Sequence, residues 1–209
     1  SLSFKAGEGF YIPIGHKDDS TPQLAIDYVL AELKPLLESN DKKFIGQNIK
    51  FDKNVLSKYG VDISSIKNDT MMMSYVLDAS ATRHNLDALA SFYLGYKTST
   101  FEEVAGKGVK QVTFDQVPIE AATNYAAEDA DITLRLYDEL SPKLESIDSL
   151  NKLNEEIEIP LIEVLSNMER NGAILNAKIL NAQSKDLESR IKKLEKKAYK
   201  IAGEEFNLG

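Results

Sequence analysis

The hydrophobic pattern divides the chain into a short-strand part and a long-helix part. Residues 1–4 read as the tail of a strand, and residues 10–14 as a second strand reached through a glycine-containing turn. Pro13 marks that second run as an edge or a bulge, because proline has no N–H to give a ladder. Thr21 before Pro22 predicts a helix start, with the helix reaching about residue 39 and kinked or split at Pro35. Residues 43–46 are a short buried strand, and from about Phe51 the pattern turns helical up to Gly60. Helices are also predicted over residues 69–79, where Met71, Met72 and Met73 read as core filling, and over residues 85–94. Residues 97–114 have no sustained period and read as a mobile loop. Their Gly106-Lys107-Gly108 lacks the spacing and the following Ser/Thr of a phosphate loop.

The second part is helical apart from a short extended piece at Ala173–Leu175. An alanine-rich run from Pro118 to about Glu145 predicts one helix, with a break near Ser141-Pro142. Another follows to Arg170, interrupted by Pro160 and closed by Asn171-Gly172. Asn176 can cap a last helix to about Ala202, along which Leu180, Leu187, Ile191, Leu194 and Ile201 trace the seam of a two-helix pairing. Lys192, Lys193, Lys196, Lys197 and Lys200 lie mostly off that seam, as a solvated face or as a face laid along a phosphate backbone.

Charge and composition narrow the chemistry. Of 209 residues 43% are hydrophobic and 28% charged, which is ordinary for a soluble globular chain of one large domain, or one domain plus part of another. No apolar run approaches a membrane span and no signal peptide opens the chain, which permits a cytoplasmic home. The lack of cysteine excludes disulfides, zinc–thiolate sites and cysteine nucleophiles, and only His16 and His84 are present. Any metal is therefore held by oxygen, which favours magnesium or manganese. The net charge is −8, with −7 in residues 1–146 and −1 in residues 147–209. Such a chain does not grip nucleic acid by bulk charge, although stacking and bound cations can replace it over a few nucleotides.

Two stretches carry candidate chemistry. In Tyr125-Ala126-Ala127-Glu128-Asp129-Ala130-Asp131, helical spacing sets Tyr125 beside Asp129. The carboxylate can hold a divalent cation and the phenol can orient a water. The plain alternative is a solvated acidic face. In Gly46-Gln47-Asn48-Ile49-Lys50-Phe51-Asp52 a buried strand gives way to amides and a carboxylate, where ligands sit in layered α/β folds. There the plain alternative is a capping Asn48 and a surface Asp52.

Together, with Asp52 and Asp129 77 residues apart, these stretches resemble the second and third motifs of the proofreading 3′–5′ exonuclease domain of bacterial DNA polymerase I, in the A-family of polymerases. Residues 81–90 (Ala-Thr-Arg-His-Asn-Leu-Asp-Ala-Leu-Ala) and 100–108 also look like that domain, and residues 147–209 resemble the lead-in to the polymerase thumb. The resemblance implies an α/β, RNase H-like mixed sheet flanked by helices over residues 1–146, followed by an α-helical, truncated thumb-like segment over residues 147–209. It implies two-cation hydrolysis (Mg²⁺ or Mn²⁺) of the 3′-terminal phosphodiester. Asp129 matches a direct metal ligand, Asp52 the carboxylate that helps hold the second cation, and Tyr125 the water-orienting tyrosine. Gln47, Asn48, Arg83 and Phe101 match positions that contact the frayed single-stranded 3′ end of DNA. Duplex DNA held by the thumb segment, a monomer with no membrane partner, and a cytoplasmic place at the bacterial nucleoid are implied as well.

One departure from the pattern is serious. The family's first motif, an Asp-x-Glu on a central first strand, is absent, and the chain begins just downstream of where it should lie. Asp186-Leu187-Glu188 falls on the seam-patterned last helix, so its acids are surface charges. The expectation is a fragment without significant activity of its own and a sheet lacking its central strand. Two readings compete with it: a vestigial, non-catalytic domain that supports a polymerase, and a ribonuclease D-like exonuclease, against which the thumb-like residues argue.

Overall fold

Leu2–Lys5 (β1) and Glu8–Phe10 (β2) form an antiparallel hairpin in the computed structural model, which describes residues 1–18 and 21–208. The second strand ends at Phe10 instead of beginning there. Pro13 cannot donate to a ladder, so Ile12–Ile14 runs on as an arm. The first helix, α1 (Ile26–Leu37), starts four residues later than Thr21-Pro22 suggested. Gln23 explains the delay: its side chain accepts from the His16 N–H and donates to the His16 carbonyl, both at 2.8 Å, which holds this stretch out of a helix. Pro35 does not split α1, because it sits in the last turn, where only one backbone bond is lost.

Phe44–Gly46 (β3) is the buried strand expected from the apolar run, and Ile49–Ser57 (α2) follows at once. Ile66–Asp69 (β4), to which the sequence pattern assigns no strand and whose last residue falls in the helix predicted over residues 69–79, pairs with β3 in parallel. Thr70–Leu77 (α3) then starts with Asp69 as its N-cap. Leu86–Leu89 (α4) runs into a π-helical turn, Ala90–Leu94. The stretch read as a featureless loop contains Phe101–Ala105 (α5), closed at its start by a reciprocal Thr100–Glu103 capping box.

Ile119–Glu145 (α6) is the spine. The break expected at Ser141-Pro142 does not occur. Leu140 and Leu144, on either side of Pro142, are locked in the core with Ile132, Leu136, Met73 and Leu89, which offsets the one missing N–H. Both β-ribbons pack on this helix. Asp148–Leu153 (α7) passes through a wide π turn, Asn154–Glu158, into Ile159–Asn171 (α8). The interruption anticipated at Pro160 takes the form of that wide turn, immediately before the residue that lacks an N–H.

The chain divides into two compact units, Ser1–Arg170 and the residues from Asn171 on. Helix α8 belongs to the first, with Ile162 packed on Ile49 and Ile63. The second is Ala177–Ala202 (α9), capped by the Asn176 side chain, which accepts from the Ile179 N–H at 3.1 Å. Leu180, Leu187, Ile191, Leu194 and Ile201 are exposed along it, and Asp186 and Glu188 pair with Arg190 and Lys192 as surface ions.

The mixed α/β order, with helices against small sheets and a helical segment after them, is the RNase H-like arrangement anticipated from the resemblance. Among the described residues the sheet is divided: β1–β2 and β3–β4 are separate two-stranded ribbons. A cleft of about 650 Å³ is lined by Ser1 to Phe4 on one side and Lys42 to Gln47 on the other.

Gly9 fixes how the hairpin meets α6. A β-carbon there would lie 2.2 Å from the Ala127 carbonyl oxygen, which belongs to a helix backbone that cannot yield. Gly9→Ala is expected to lower stability by about 1–3 kcal/mol. Gly15→Ala, which meets nothing within 4 Å, should be close to neutral in the same chemical-denaturation measurement.

Candidate active site

The site begins with a carboxylate that the motifs do not include. Asp69, 1% exposed at the end of β4, accepts from three backbone N–H groups: Asn48 at 3.0 Å, Ile49 at 2.8 Å and Met71 at 2.9 Å. Each helix start leaves N–H groups without intrahelical partners, and here one side chain satisfies those of α2 and α3 together. Asn48 does not cap α2 with its side chain. It occupies the left-handed region at φ 58°, which turns the chain from β3 into the helix. Burial raises the Asp69 pKa, and the converging N–H groups oppose that rise.

With its start pinned, the first turn of α2 projects Asp52 into the cleft between the ribbons. Asp129 reaches the same cleft from α6. Gln47 lines it too, but its amide is already engaged, donating to the His84 carbonyl at 2.8 Å and accepting from the Thr70 hydroxyl at 2.5 Å. Gln47 thereby ties the segment bearing Arg83 to the end of β3, and the Arg83 side chain is exposed there. Tyr125 stands one helical turn from Asp129, near enough for each group to shift the other's pKa. The rings of Phe101 and Phe114 pack on Tyr125, with centroids 6.3 and 5.9 Å from it.

Both cleft acids are hard to ionise. The Asp52 pKa is pushed up to about 6, first by crowding from the surrounding protein, although solvent still reaches the residue. The nearby Ser1 ammonium pulls it down and the Asp69 carboxylate adds to the rise. Asp129 also rises to about 6, again first through burial. The Tyr125 hydroxyl draws it down, and Asp87 and Glu128 push it up. The Tyr125 phenol is raised well beyond its ordinary value by burial and by Asp129, so it stays protonated.

The acidic run of α6 is not one solvated face. Glu128 accepts from the Tyr96 hydroxyl at 2.8 Å and the Ser99 N–H at 2.7 Å. Asp131 accepts from the Gly7 N–H at 2.5 Å and lies 3.6 Å from Arg135. Only Asp129 of the three is left for the cleft. Asp69, Glu128 and Asp87 were not singled out from sequence. The Asp before Thr70 carried a cap signal, but nothing local says that one carboxylate caps two helices.

Comparison with known proteins now bears on the geometry. A profile of the 3′–5′ exonuclease family matches residues 1–145. The chain belongs to that family. It is 50% identical over 212 residues to DNA polymerase I of Pseudomonas aeruginosa, covering 100% of this chain and 23% of that protein. It is 39% identical over 208 residues to DNA polymerase I of Rhizobium leguminosarum, covering 95% and 20%. The chain thus spans about a fifth to a quarter of the length of these relatives. A solved structure described as the POL domain of Pol1 from M. smegmatis in complex with DNA primer-template and dNTP superposes with a TM-score of 0.62. At 22% identity over 91% of this chain and 29% of that one, it supports the fold alone. No helix among the described residues is long and apolar enough to cross a membrane.

The raised acids set the sign of a pH effect. A carboxylate at about 6 in the folded chain and near 3.8 in the unfolded one binds protons more readily when folded. Stability in the presence of a chelator is therefore expected to rise as pH falls from 7.5 towards 5. Asp129→Asn should raise the melting temperature by about 2–4 °C at pH 7.5, and the gain should shrink at pH 5 in parallel thermal melts. Asp69→Ala should act in the opposite direction, costing about 3 kcal/mol by orphaning buried N–H groups at two helix starts, as measured by chemical denaturation.

Proposed function

We propose that this chain is the proofreading part of a DNA polymerase I. In this reading residues 1–146 form the 3′–5′ exonuclease domain and residues 147–209 lead into the polymerase thumb. The substrate is the frayed 3′ end of DNA, and the bond cut is its last phosphodiester. The observation that carries this reading is the convergence of Asp52 and Asp129 on one cleft, with Tyr125 one turn from Asp129 and Phe101 against Tyr125.

The donors fit a hard divalent cation. Two crowded carboxylates, both raised to about 6, form a site short of positive charge, and all its donors are oxygen. Asp52 and Asp129 would hold Mg²⁺ or Mn²⁺, which when bound stabilises the attacking and leaving oxygens of the phosphodiester. Tyr125 Oη, kept protonated one turn from Asp129, can donate to that carboxylate and use its lone pairs to accept from, and so aim, a water. Phe101 offers a ring on which any base can stack, which suits an editor indifferent to base identity. Fraying is easiest at a mismatch, so selectivity can come from the duplex. Asn48, Gln47 and Arg83 stand near the strand's path. Gln47 acts there by holding the Arg83 segment.

Among the described residues no group of three or more His, Cys, Asp or Glu can hold a metal ion. Two carboxylates hold magnesium weakly, so the 209 residues alone are expected to release few mononucleotides from an end-labelled single strand. Joining a strand that carries Asp-x-Glu ahead of Ser1 should restore release. In that protein Asp129→Ala should reduce cutting to background, and Tyr125→Phe should slow it by about a hundredfold. Vigorous cleavage by the 209 residues, abolished by Asp129→Ala, would mean that other acids complete the site. Failure of the extended protein to cut would favour the vestigial reading.

A further inference from the structure

We infer that Glu128 is a positioning residue that sets the Phe101 ring against Tyr125, and so fixes where the terminal base of a single strand stacks. The inference rests on the reading of Phe101 given above.

The geometry that carries it lies between α4 and α6. Residues 95–100 have no helix or strand to satisfy their backbone, yet they must deliver Phe101 to one place. Both oxygens of Glu128 are spent on this segment, one on the Tyr96 hydroxyl and one on the Ser99 N–H, two residues before Phe101. A charged acceptor makes these bonds stronger than neutral ones. Thr98, 4% exposed, adds a bond to Asp87 at 2.8 Å, and the Thr100–Glu103 box then fixes the direction in which α5 leaves the segment. The far end of α5 is held apolarly, with Ala105 buried against Val117 and Ala122. Arg135 lies over the Tyr96 ring, 5.2 Å from its centroid, and closes the other side. Glu128 thus ties the helix that bears Tyr125 to the segment that leads into Phe101, and it stands beside the cleft acid Asp129 without itself lining the cleft.

The test pairs amide exchange with strand binding on the 209-residue chain, using a 5′-fluorescein-labelled oligothymidylate in magnesium buffer. Glu128→Ala is expected to speed exchange across residues 96–105 while leaving residues 136–145 protected. It should weaken binding by about threefold to tenfold, and Phe101→Ala by about tenfold. The double variant should bind no more weakly than Phe101→Ala alone, because the two changes remove one interaction. Glu128→Gln keeps an acceptor for Ser99 and should recover most of the loss. Tyr96→Phe, a milder change that removes one of the two bonds, should fall between. Unchanged exchange over residues 96–105 in Glu128→Ala overturns the inference, and does so whether or not Phe101→Ala weakens binding. Additive losses in the double variant overturn it as well. If Phe101→Ala leaves binding unchanged, the stacking role proposed for Phe101 is wrong and the inference falls with it.

Discussion

A single buried carboxylate holds the site in register. Asp69 lies where β3, β4, α2 and α3 meet, and its two oxygens satisfy backbone N–H groups from two helix starts and the turn between strand and helix. A helix start left bare in a protein interior is costly, and two of them side by side would be worse. By resolving both, Asp69 permits α2 to begin within three residues of β3, which aims Asp52 into the cleft. The tightness shows at Gly46, where a β-carbon would come within 2.7 Å of the Ile49 side chain. The arrangement also brings two carboxylates close together, so the residue that positions Asp52 makes it harder to ionise.

Helix α6 does for the other half what Asp69 does for the first. Its buried stripe of Ile132, Leu136, Leu140 and Leu144 anchors it in the core, while its N-terminal half presents chemistry. Successive turns hand out different tasks: Tyr125 to the rings of Phe101 and Phe114, Asp129 to the cleft, Glu128 to the segment before α5, Asp131 to the hairpin. An acidic cluster on a rigid element is thereby dispersed among partners, while Glu128 still pushes the Asp129 carboxyl up.

Much of this was legible in the sequence, and the reasons for the remainder are physical. The alanine-rich α6, the methionine-rich α3 and the long α9 follow from periodicity. Asp52, Tyr125 and Asp129 follow from a motif pair and Phe101 from residues 100–108; Asp52 and Asp129 line one cleft, and Phe101 packs on Tyr125 one turn from Asp129. Ile66–Asp69 escaped notice because Lys67, Asn68 and Asp69 are polar and the strand is only four residues long. The prolines misled in a consistent direction. Pro35 and Pro142 lie in last turns, where packing outweighs one lost bond. Thr21-Pro22 was a valid start signal overruled by Gln23, whose bonds go to residue 16, beyond the reach of any local rule. The same holds for Asp69 and Glu128, whose partners lie 20 and 29 residues away.

The contact of the hairpin with α6 has a consequence for the order of synthesis. Gly7 and Asp131, which bond directly, are separated by 124 residues. At about 5–20 residues per second, a ribosome needs roughly 6–25 s to make that interval. For all of that time β1 and β2 have each other but not the helix that covers them, and a lone two-stranded ribbon is marginal in water. Phe4 and Phe10, whose rings lie 6.1 Å apart, give the waiting ribbon some cohesion of its own. They also make it adhesive, 71% and 51% exposed as they are even in the folded chain. Nascent chains of this kind therefore depend on whatever shields an early hairpin until its late-made partner emerges.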